Sequence, residues 1–385
     1  MGTPDLTTKD FWVSASTLVM ANPLDATAVS EAEFIREWVM DQPGLSVHML
    51  FRTSGSSGKG KWVALSKTAL LESAQAVNDF LKVTAEDRWL QTLPLFHVGG
   101  MGIAARGYVA GCDVIGGLEK WDAVRCSQLL AREKITLTSL VPAQMADLIS
   151  LGVSAPESLR AVVIGGGRLD ATLYQNARDH GWPVQESYGM TETCSQVATA
   201  LPGERDLCVL PLWDVTEHAD GCLQVRGNAM FTGYVGCGEN GCFIEDPKDD
   251  AWFVTHDRGV VVGDHLIIHG RSDRCVKILG ELVDLSEVEQ EIQEVIKKME
   301  RPYQELAVMA VAPPEAGVHM ETRRGTLLIA CVEQNENLSD VLEKYNADCH
   351  PLHRIKGVAL LDSLPRTGIG KISYPELELL LKSER

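Results

Sequence analysis

The sequence predicts an α/β protein made of a large amino-terminal domain and a smaller α+β domain at the carboxyl end. Its 385 residues are enough for about two or three domains at roughly 100–200 residues each. Apolar strand-like runs alternate with helical periodicity in the first half of the chain, as in doubly wound sheets. Beyond Arg271 the pattern changes to a unit large enough for its own core. We therefore expect one domain over residues 1–270, a hinge over 271–273 and a second domain over 274–385.

The first half of the chain carries the alternating pattern. Apolar residues recur at helical spacing in Glu31–Met40. Two predicted strands, Val47–Phe51 and Trp62–Leu65, flank a loop rich in glycine and serine at 53–61. The elements expected after this loop are a helix over Lys67–Lys82, strands at Trp89–Leu95 and Cys112–Ile115, a helix over Asp122–Glu133, a strand at Leu159–Ile164 that ends in three glycines, and a helix over Ala171–His180.

The second half of the chain contains two successive residue patterns. From about 205 to 270, short β-rich runs separated by glycine-containing turns predict a small antiparallel layer that closes the large domain. The remaining residues predict two short strands, a charged helix over Ser286–Met299, strands at 306–311 and 325–332, and further helix toward the end. This last unit is the α+β domain.

Composition and charge exclude several classes of protein. The formal net charge of −18 repels a nucleic-acid backbone, which binding proteins neutralise with cations. The first ten residues lack the basic flank and apolar stretch of a secretory signal, and no apolar run is long enough for membrane insertion. Ten cysteines stand singly with no CxxC pair, which suits reduced thiols in a cytoplasmic protein.

The loop TSGSSGKGK at 53–61 has the chemistry of a phosphate cradle. Glycines let backbone N–H groups turn inward, and the loop adds hydroxyl donors and a cation. It does not fit the P-loop NTPase signature, because Trp62 stands where a hydroxyl should bind Mg²⁺ and because the following residues are strand-like. A mobile surface loop is the alternative interpretation.

Five motifs in order resemble those of the adenylate-forming, or AMP-binding, acyl- and aryl-CoA ligase superfamily. The loop at 53–61 is similar to its T-S-G-[ST]-[ST]-G-x-x-K pattern, although Gly60 replaces the usual proline. The other four are Y-G-x-T-E within 186–193, a T-G-D equivalent at 255–257 with His256 in place of glycine, hinge and following-loop motifs at 270–273 and 277–281, and P-x-T-x-x-G-K at 365–371. Together they span residues 53 to 371, more than four-fifths of the chain.

The resemblance implies ATP, Mg²⁺ and CoA as cofactor and co-substrates. A carboxylate would attack the α-phosphate of ATP to form an acyl-adenylate, and a thiol would then displace AMP. Both steps develop negative charge on oxygen, so cations and hydrogen-bond donors should dominate catalysis. The phosphate loop would contribute Thr53, Ser54, Gly55, Ser56, Ser57, Gly58 and Lys61.

The resemblance also implies the remaining nucleotide contacts, which we assign to the matching residues of each motif. Glu192 would bind Mg²⁺ and Thr191 the α-phosphate, while Asp257 would accept from the ribose hydroxyls. Arg271 would act on the ribose or phosphate side as a fixed cation. Adenine would lie on the ring of Tyr188 and against backbone without Cβ atoms, within the set Gly165, Gly166, Gly167, Ser187 and Gly189.

The resemblance also implies that residues 274–385 form a mobile lid. Lys371 would bridge the substrate carboxylate and the α-phosphate during adenylation, then withdraw as the lid rotates at Asp273. Lys277 and Gly280 would then turn toward the active site and the pantetheine channel.

The runs at 87–101 and 187–196 are most similar to the o-succinylbenzoate-CoA ligase branch of menaquinone biosynthesis. The acid would then be aromatic, with the pocket lined by His97, Gly99, Gly100, Ser195 and Gln196. For His97, a helix-capping or core role is the alternative. About fifty residues precede the phosphate loop, fewer than this branch usually has, which predicts a trimmed outer wall of the large domain.

Other functions stay open from sequence. The chain could be another acyl- or aryl-CoA synthetase, an adenylating enzyme that loads a carrier protein, or an inactive nucleotide-binding relative. Lys371 and Glu192, whose loss would favour the inactive relative, are both present. A monomer and a homodimer are both compatible with the sequence.

Overall fold

A largely parallel sheet forms the centre of the large domain. The structure, a computed structural model, describes residues 6–53, 60–118, 120–238, 241–301, 303–311, 327–333, 337–368 and 370–383. Five neighbouring strands are parallel, in the order β5-β4-β6-β7-β8. They are β4 (Arg88–Leu90), β5 (Asp113–Ile115), β6 (Leu137–Leu140), β7 (Ala161–Ile164) and β8 (Val184–Tyr188). Their carboxyl ends meet at one edge, where ligands bind in open α/β sheets.

Antiparallel strands extend this sheet beyond β8. The order continues β9-β10-β16-β15-β12-β11, which makes a sheet of eleven described strands. These strands are β9 (Ala198–Ala200), β10 (Leu207–Val209), β11 (Trp213–Glu217), β12 (Cys222–Gly227), β15 (Phe253–Val262) and β16 (His265–Arg271).

A second sheet of five described strands has the order β1-β2-β3-β13-β14. Its strands are β1 (Leu18–Met20), β2 (His48–Thr53), β3 (Lys61–Ser66), β13 (Gly233–Gly238) and β14 (Gly241–Glu245). The segment 205–270 is antiparallel as predicted, but it is divided between the two sheets because β13 pairs with β3.

Helices cover these sheets. They are α1 (Lys9–Val13), α2 (Ala26–Val39), α3 (Lys67–Leu81), α4 (Val98–Ala110), α5 (Ala123–Arg132), α6 (Pro142–Ser150) and α7 (Ala171–Asp179). Among the described residues, no helix combines the length and apolar character needed to cross a membrane.

The carboxyl-terminal unit is α+β, as predicted. A hairpin of β17 (Cys275–Ile278) and β18 (Glu281–Asp284) leads into α8 (Leu285–Lys298). A small mixed sheet follows, with α9 (Ser339–Asp348) and α10 (Tyr374–Ser383) beside it. Its strands are β19 (Ala307–Val311), β20 (Leu327–Glu333) and β21 (Ile355–Leu361).

One sequence expectation within the large domain needs correction, and α4 had no predicted counterpart. The strand expected over Trp89–Leu95 is only the short β4, and the chain then turns into α4, which periodicity did not reveal. Residues Gly100 to Gly107 of α4 are all buried, so the helix has no exposed polar face to create an amphipathic pattern. Gly107 lets this helix lie against β5, because an added Cβ would stand 2.1 Å from Val114 Cγ2.

The cysteines are not all reduced thiols. Cys237 and Cys242 form a disulfide across the β13–β14 hairpin. The antiparallel register places the two residues directly opposite each other. Sequence spacing without the hairpin register could not show this pairing. The eight other cysteines form no disulfide among the described residues.

Candidate active site

Turns at the carboxyl ends of β6, β7 and β8 build one side of the candidate site. Val141 follows β6, Gly165–Gly167 follow β7, and Gly189 follows β8. Gly166 has φ +80°, a conformation that suits glycine. At Gly189 a Cβ would stand 1.5 Å from the carbonyl oxygen of Ser195, so only glycine lets these two segments lie side by side.

Tyr188, Asp257 and Arg271 are joined by hydrogen bonds. The Tyr188 hydroxyl donates to Asp257 Oδ2 at 2.8 Å, and Arg271 Nη1 donates to Asp257 Oδ1 at 3.1 Å. Burial and the Asp257 carboxylate raise the pKa of Tyr188 well above its usual value, so its hydroxyl stays protonated. Each carboxylate oxygen has a further lone pair. Asp257 can therefore still accept from ribose hydroxyls.

Arg271 also binds the predicted hinge residue. Its Nε and Nη2 atoms donate to the two oxygens of Asp273 at 2.9 and 2.6 Å. Burial alone would lower the pKa of Arg271, but the Asp273 and Asp257 carboxylates raise it. His256, where the superfamily has glycine, is exposed on β15. Asp257 beside it still accepts its hydrogen bonds from Tyr188 and Arg271.

Glu192 and Lys61 both contact Tyr234. The Tyr234 hydroxyl donates to Glu192 Oε1 at 2.8 Å, and Lys61 Nζ lies 4.5 Å from the centre of the Tyr234 ring. Thr191 and Glu192 belong to a short 3-10 helix, Thr191–Thr193. The end of the phosphate loop and the predicted Mg²⁺ ligand are thus close together.

The residues fit a magnesium ion held mainly by a nucleotide. The described residues contain no group of three or more histidine, cysteine, aspartate or glutamate side chains that could cage a metal. Mg²⁺ usually takes one or two carboxylates and completes its shell with phosphate oxygens and water. Glu192 would supply the carboxylate.

Lys371 reaches from the carboxyl-terminal unit to the turn after β7. Its Cε atom lies 2.6 Å and its Nζ atom 3.2 Å from the ideal Cβ position of Gly166. The turn that carries it is closed by a hydrogen bond from the Thr367 N–H to the Lys371 carbonyl at 2.7 Å. Burial and the Arg271 cation lower the pKa of Lys371 to about 8, against the opposing effect of Asp257.

His97 lies beside the loop that carries Lys371. It precedes α4 as the cap residue, but its side chain makes no capping hydrogen bond. Nε2 is buried without a partner among the described residues and lies 3.4 Å from the ideal Cβ position of Gly368. Burial and the Lys371 charge lower the pKa of His97 to about 4, so the ring is neutral at physiological pH.

The other predicted pocket residues differ in their contacts and backbone conformations. Both amide atoms of Gln196 are buried without described partners. Ser195 has the left-handed φ of 112° and lies beside Gly102. Gly100 serves packing, because a Cβ there would stand 2.2 Å from the Pro94 carbonyl oxygen, and at Gly99 it would stand 3.2 Å from Leu93 Cδ1.

Arg106 also belongs to this pocket, although no sequence motif predicted it. It projects from α4, is 2% exposed and makes no salt bridge with any acid in the described part of the chain. Nη2 is 3.5 Å from Ser195 Oγ, Nη1 is 3.4 Å from Ser139 Oγ, and Nε has no described partner. An unpaired charge is costly to bury. The signal in the sequence was a single arginine within an apolar, glycine-rich run.

Several predicted residues lie apart from this cluster. Lys277 is exposed on β17, and Gly280 is exposed in the turn that follows. Ser187 directs its hydroxyl to the Ile164 carbonyl at 3.0 Å, next to Gly165. Thr53 ends β2 and donates to the Lys61 carbonyl. The predicted contacts Ser54, Gly55, Ser56, Ser57 and Gly58 lie outside the described residues.

Known proteins match both the sequence and the fold. Residues 21–235 match the family of AMP-binding enzymes. The 2-succinylbenzoate–CoA ligase of Enterococcus faecalis is 29% identical over 353 residues, which cover 85% of this chain and 68% of that protein. The ligase of the same name from Listeria monocytogenes is 27% identical over 368 residues, which cover 92% of this chain and 74% of that protein.

Solved structures agree with these relatives. O-succinylbenzoate coenzyme A synthetase (MenE) from Bacillus subtilis, in complex with ATP and magnesium ion, has a TM-score of 0.71 and 25% identity, and the match covers 86% of this chain and 69% of that one. A variant of E. coli MenE with bound OSB-AMS has a TM-score of 0.71 and 28% identity, with 88% and 69% covered. More than half of the sequence matches the family model, and the chain belongs to the AMP-binding enzyme family.

Proposed function

We propose that this chain is an ATP-dependent acid–thiol ligase that converts o-succinylbenzoate to o-succinylbenzoyl-CoA and releases AMP and pyrophosphate. The observation that best supports this proposal is the position of Lys371. It lies beside Gly166, and the charges of Asp257 and Arg271 act on its amine. The ligases similar to this chain act on the same acid, which supports the substrate and a place in menaquinone biosynthesis. ATP and CoA are cytoplasmic metabolites, and we assign the reaction to the cytoplasm.

In the first half-reaction, a carboxylate oxygen of the acid attacks the α-phosphorus of ATP. The bond from that phosphorus to the bridging oxygen of the β-phosphate breaks, and pyrophosphate leaves with the electron pair. Lys371 stabilises charge on the carboxylate and α-phosphate oxygens, and Thr191 donates to the α-phosphate. Magnesium, when bound, neutralises charge on the phosphates at Glu192. Asp257 holds the ribose, with its position fixed by Tyr188 and Arg271.

In the second half-reaction, the thiol sulfur of CoA attacks the acyl carbon and the bond to the AMP oxygen breaks. The thiol gives up its proton, and AMP leaves with the electron pair. We assign the intervening lid rotation to Asp273 and the later contacts to Lys277 and Gly280. The buried apolar clusters support a hinge there. Each cluster contains only residues before position 271 or only residues after it, so none crosses the hinge.

The acid itself is inferred from Arg106. o-Succinylbenzoate carries two carboxylates, of which one is activated and the other persists. A buried guanidinium without a described acidic partner has the shape and charge to bind the second carboxylate through two parallel hydrogen bonds. Gln196, with both amide atoms free among described residues, would bind a further oxygen of the same acid.

Replacement of Arg106 tests this assignment. We expect Arg106→Met to raise KM for o-succinylbenzoate by about 100-fold or more, since a lost charged hydrogen-bond partner is worth about 2–5 kcal/mol. KM for ATP should change little. The size-matched methionine should keep or improve turnover of a monocarboxylic aromatic acid. An equal loss with both acids would contradict a role for Arg106 in binding the second carboxylate.

The reaction is tested with o-succinylbenzoate, ATP, Mg²⁺ and CoA. We expect equal amounts of AMP, pyrophosphate and thioester. AMP formation with transfer to a phosphopantetheinyl carrier protein, and none to free CoA, would favour the carrier-loading alternative. No product with this acid or with a panel of aromatic and aliphatic acids would overturn the proposal.

A further inference from the structure

The stem of Lys371 occupies a slot between two turns at the carboxyl edge of the sheet. One wall is the backbone of Gly166 after β7, and the other is the side chain of Val141 after β6. The ideal Cβ position of Gly166 is 2.6 Å from Lys371 Cε and 3.3 Å from Val141 Cγ1. Lys371 and Val141 thus enclose the space that a side chain at position 166 would fill.

A Cβ atom at position 166 would displace the lysine. Carbon atoms in contact are normally about 3.5–4.0 Å apart, and the observed 2.6 Å to Lys371 Cε is far shorter. Val141 is 2% exposed and is packed into the main core, so it cannot retreat. The end of the lysine side chain would have to shift by about 1 Å to restore a normal contact distance.

We propose that Gly166 is a positioning residue for the first half-reaction, because its missing side chain provides the seat for the stem of Lys371. The inference rests on the proposed function and deepens it. The seat holds the Lys371 amine where the charges of Asp257 and Arg271 act on it, and where it would face the substrate oxygens. When the lid rotates for the second half-reaction, the seat empties and a side chain there no longer interferes.

The two half-reactions should therefore respond differently to Gly166→Ala. A displacement of about 1 Å at a catalytic group lowers its rate by about 100-fold. We expect that loss in the single-turnover rate of adenylate formation. Thioester formation from preformed acyl-adenylate and CoA should be slowed far less than adenylate formation, because Lys371 has left the seat. A defect in adenine binding or in folding would slow both half-reactions alike.

Backbone strain is controlled with Gly181→Ala. Gly181 has φ +77°, close to the +80° of Gly166, and a Cβ there meets nothing within 4 Å. This variant carries the same strain without filling a slot, and both of its half-reactions should match the wild type. A comparable adenylation defect in Gly181→Ala would attribute the effect to strain and overturn the proposal.

A double variant and a proteolysis assay complete the test. Gly166→Ala should add nothing to the adenylation defect of Lys371→Ala, because the seat matters only through the lysine. An additive loss would overturn the proposal. Trypsin should cut after Lys371 several-fold faster in Gly166→Ala than in the wild type or Gly181→Ala, and an unchanged cleavage rate would count against the seat. This assay needs no acid substrate, so it is informative even if the proposed function fails.

Discussion

At the scale of single residues, burial and a neighbouring cation lower the pKa of the Lys371 amine. Lys371 lies in a largely desolvated slot near the Arg271 cation, and Asp257 offsets this only in part. An amine with a pKa of about 8 is charged at neutral pH and loses its proton within the range of ordinary assays. Adenylation should therefore depend on pH in a way that reports Lys371.

The pH profile of adenylation is the prediction at this scale. We expect kcat/KM for ATP to fall about tenfold per pH unit once the pH rises above about 8, because only the charged amine stabilises the phosphate oxygens. Lys371→Arg should move this fall upward by more than two units, since a guanidinium stays charged. A fall at the same pH in Lys371→Arg would assign the titration to another group.

Sequence motifs predicted several residues of the candidate site, but neither Arg106 nor the neighbours of the predicted residues. Tyr188, Glu192, Asp257 and Lys371 stand in ordered motifs, so chemistry and spacing were enough to propose them. The partners of these residues come from distant strands, as when Tyr234 binds Glu192 over 42 residues. Such contacts depend on sheet register, which the local pattern does not contain.

At the scale of secondary structure, short polar side chains fix where the helices begin. Ser66, Asp122, Asp170 and Asp284 each precede a helix and accept a hydrogen bond from its first turn. Cap residues before an amphipathic run are readable in sequence. For this reason α3, α5, α7 and α8 agree with prediction to within about one residue at each end, whereas the buried α4 was missed.

Asp87 ties the starts of neighbouring parallel strands together. It precedes β4, is 7% exposed and accepts hydrogen bonds from Arg160 Nη2 at 2.7 Å and Thr136 Oγ1 at 2.8 Å. Burial alone would raise the pKa of Asp87, but the bonds from Arg160, Thr84 and Thr136 outweigh burial and lower it to about 2.

We expect Asp87→Ala to lower the free energy of unfolding by about 3 kcal/mol, as when one partner of a buried ion pair is removed. Because the folded-state pKa is depressed, this contribution is present above pH about 4 and is lost as the pH falls toward about 2. Urea unfolding at pH 7 and pH 2.5 measures it. The control Asp113→Ala removes an exposed partner of Arg88 and should cost less than about 1 kcal/mol. Equal losses in both variants would contradict the role of Asp87.

At the scale of the whole molecule, two separately packed units meet at the candidate site. In the proposed function the large domain would supply the nucleotide contacts, and the carboxyl-terminal unit would supply Lys371, with Lys277 exposed on the same unit. If this unit rotates as a lid, as we propose, Lys371 and Lys277 would serve the two half-reactions in turn. The structure holds the arrangement in which Lys371 faces the site.

The most direct test compares Lys371→Ala with Lys277→Ala in separated half-reactions. We expect Lys371→Ala to slow adenylate formation by about 100- to 1,000-fold and to leave thioester formation from preformed adenylate within a few-fold of wild type. Lys277→Ala should show the reverse pattern. If Lys371→Ala lost both half-reactions equally, or lost neither, the account of one lid presenting Lys371 only for adenylation would be contradicted.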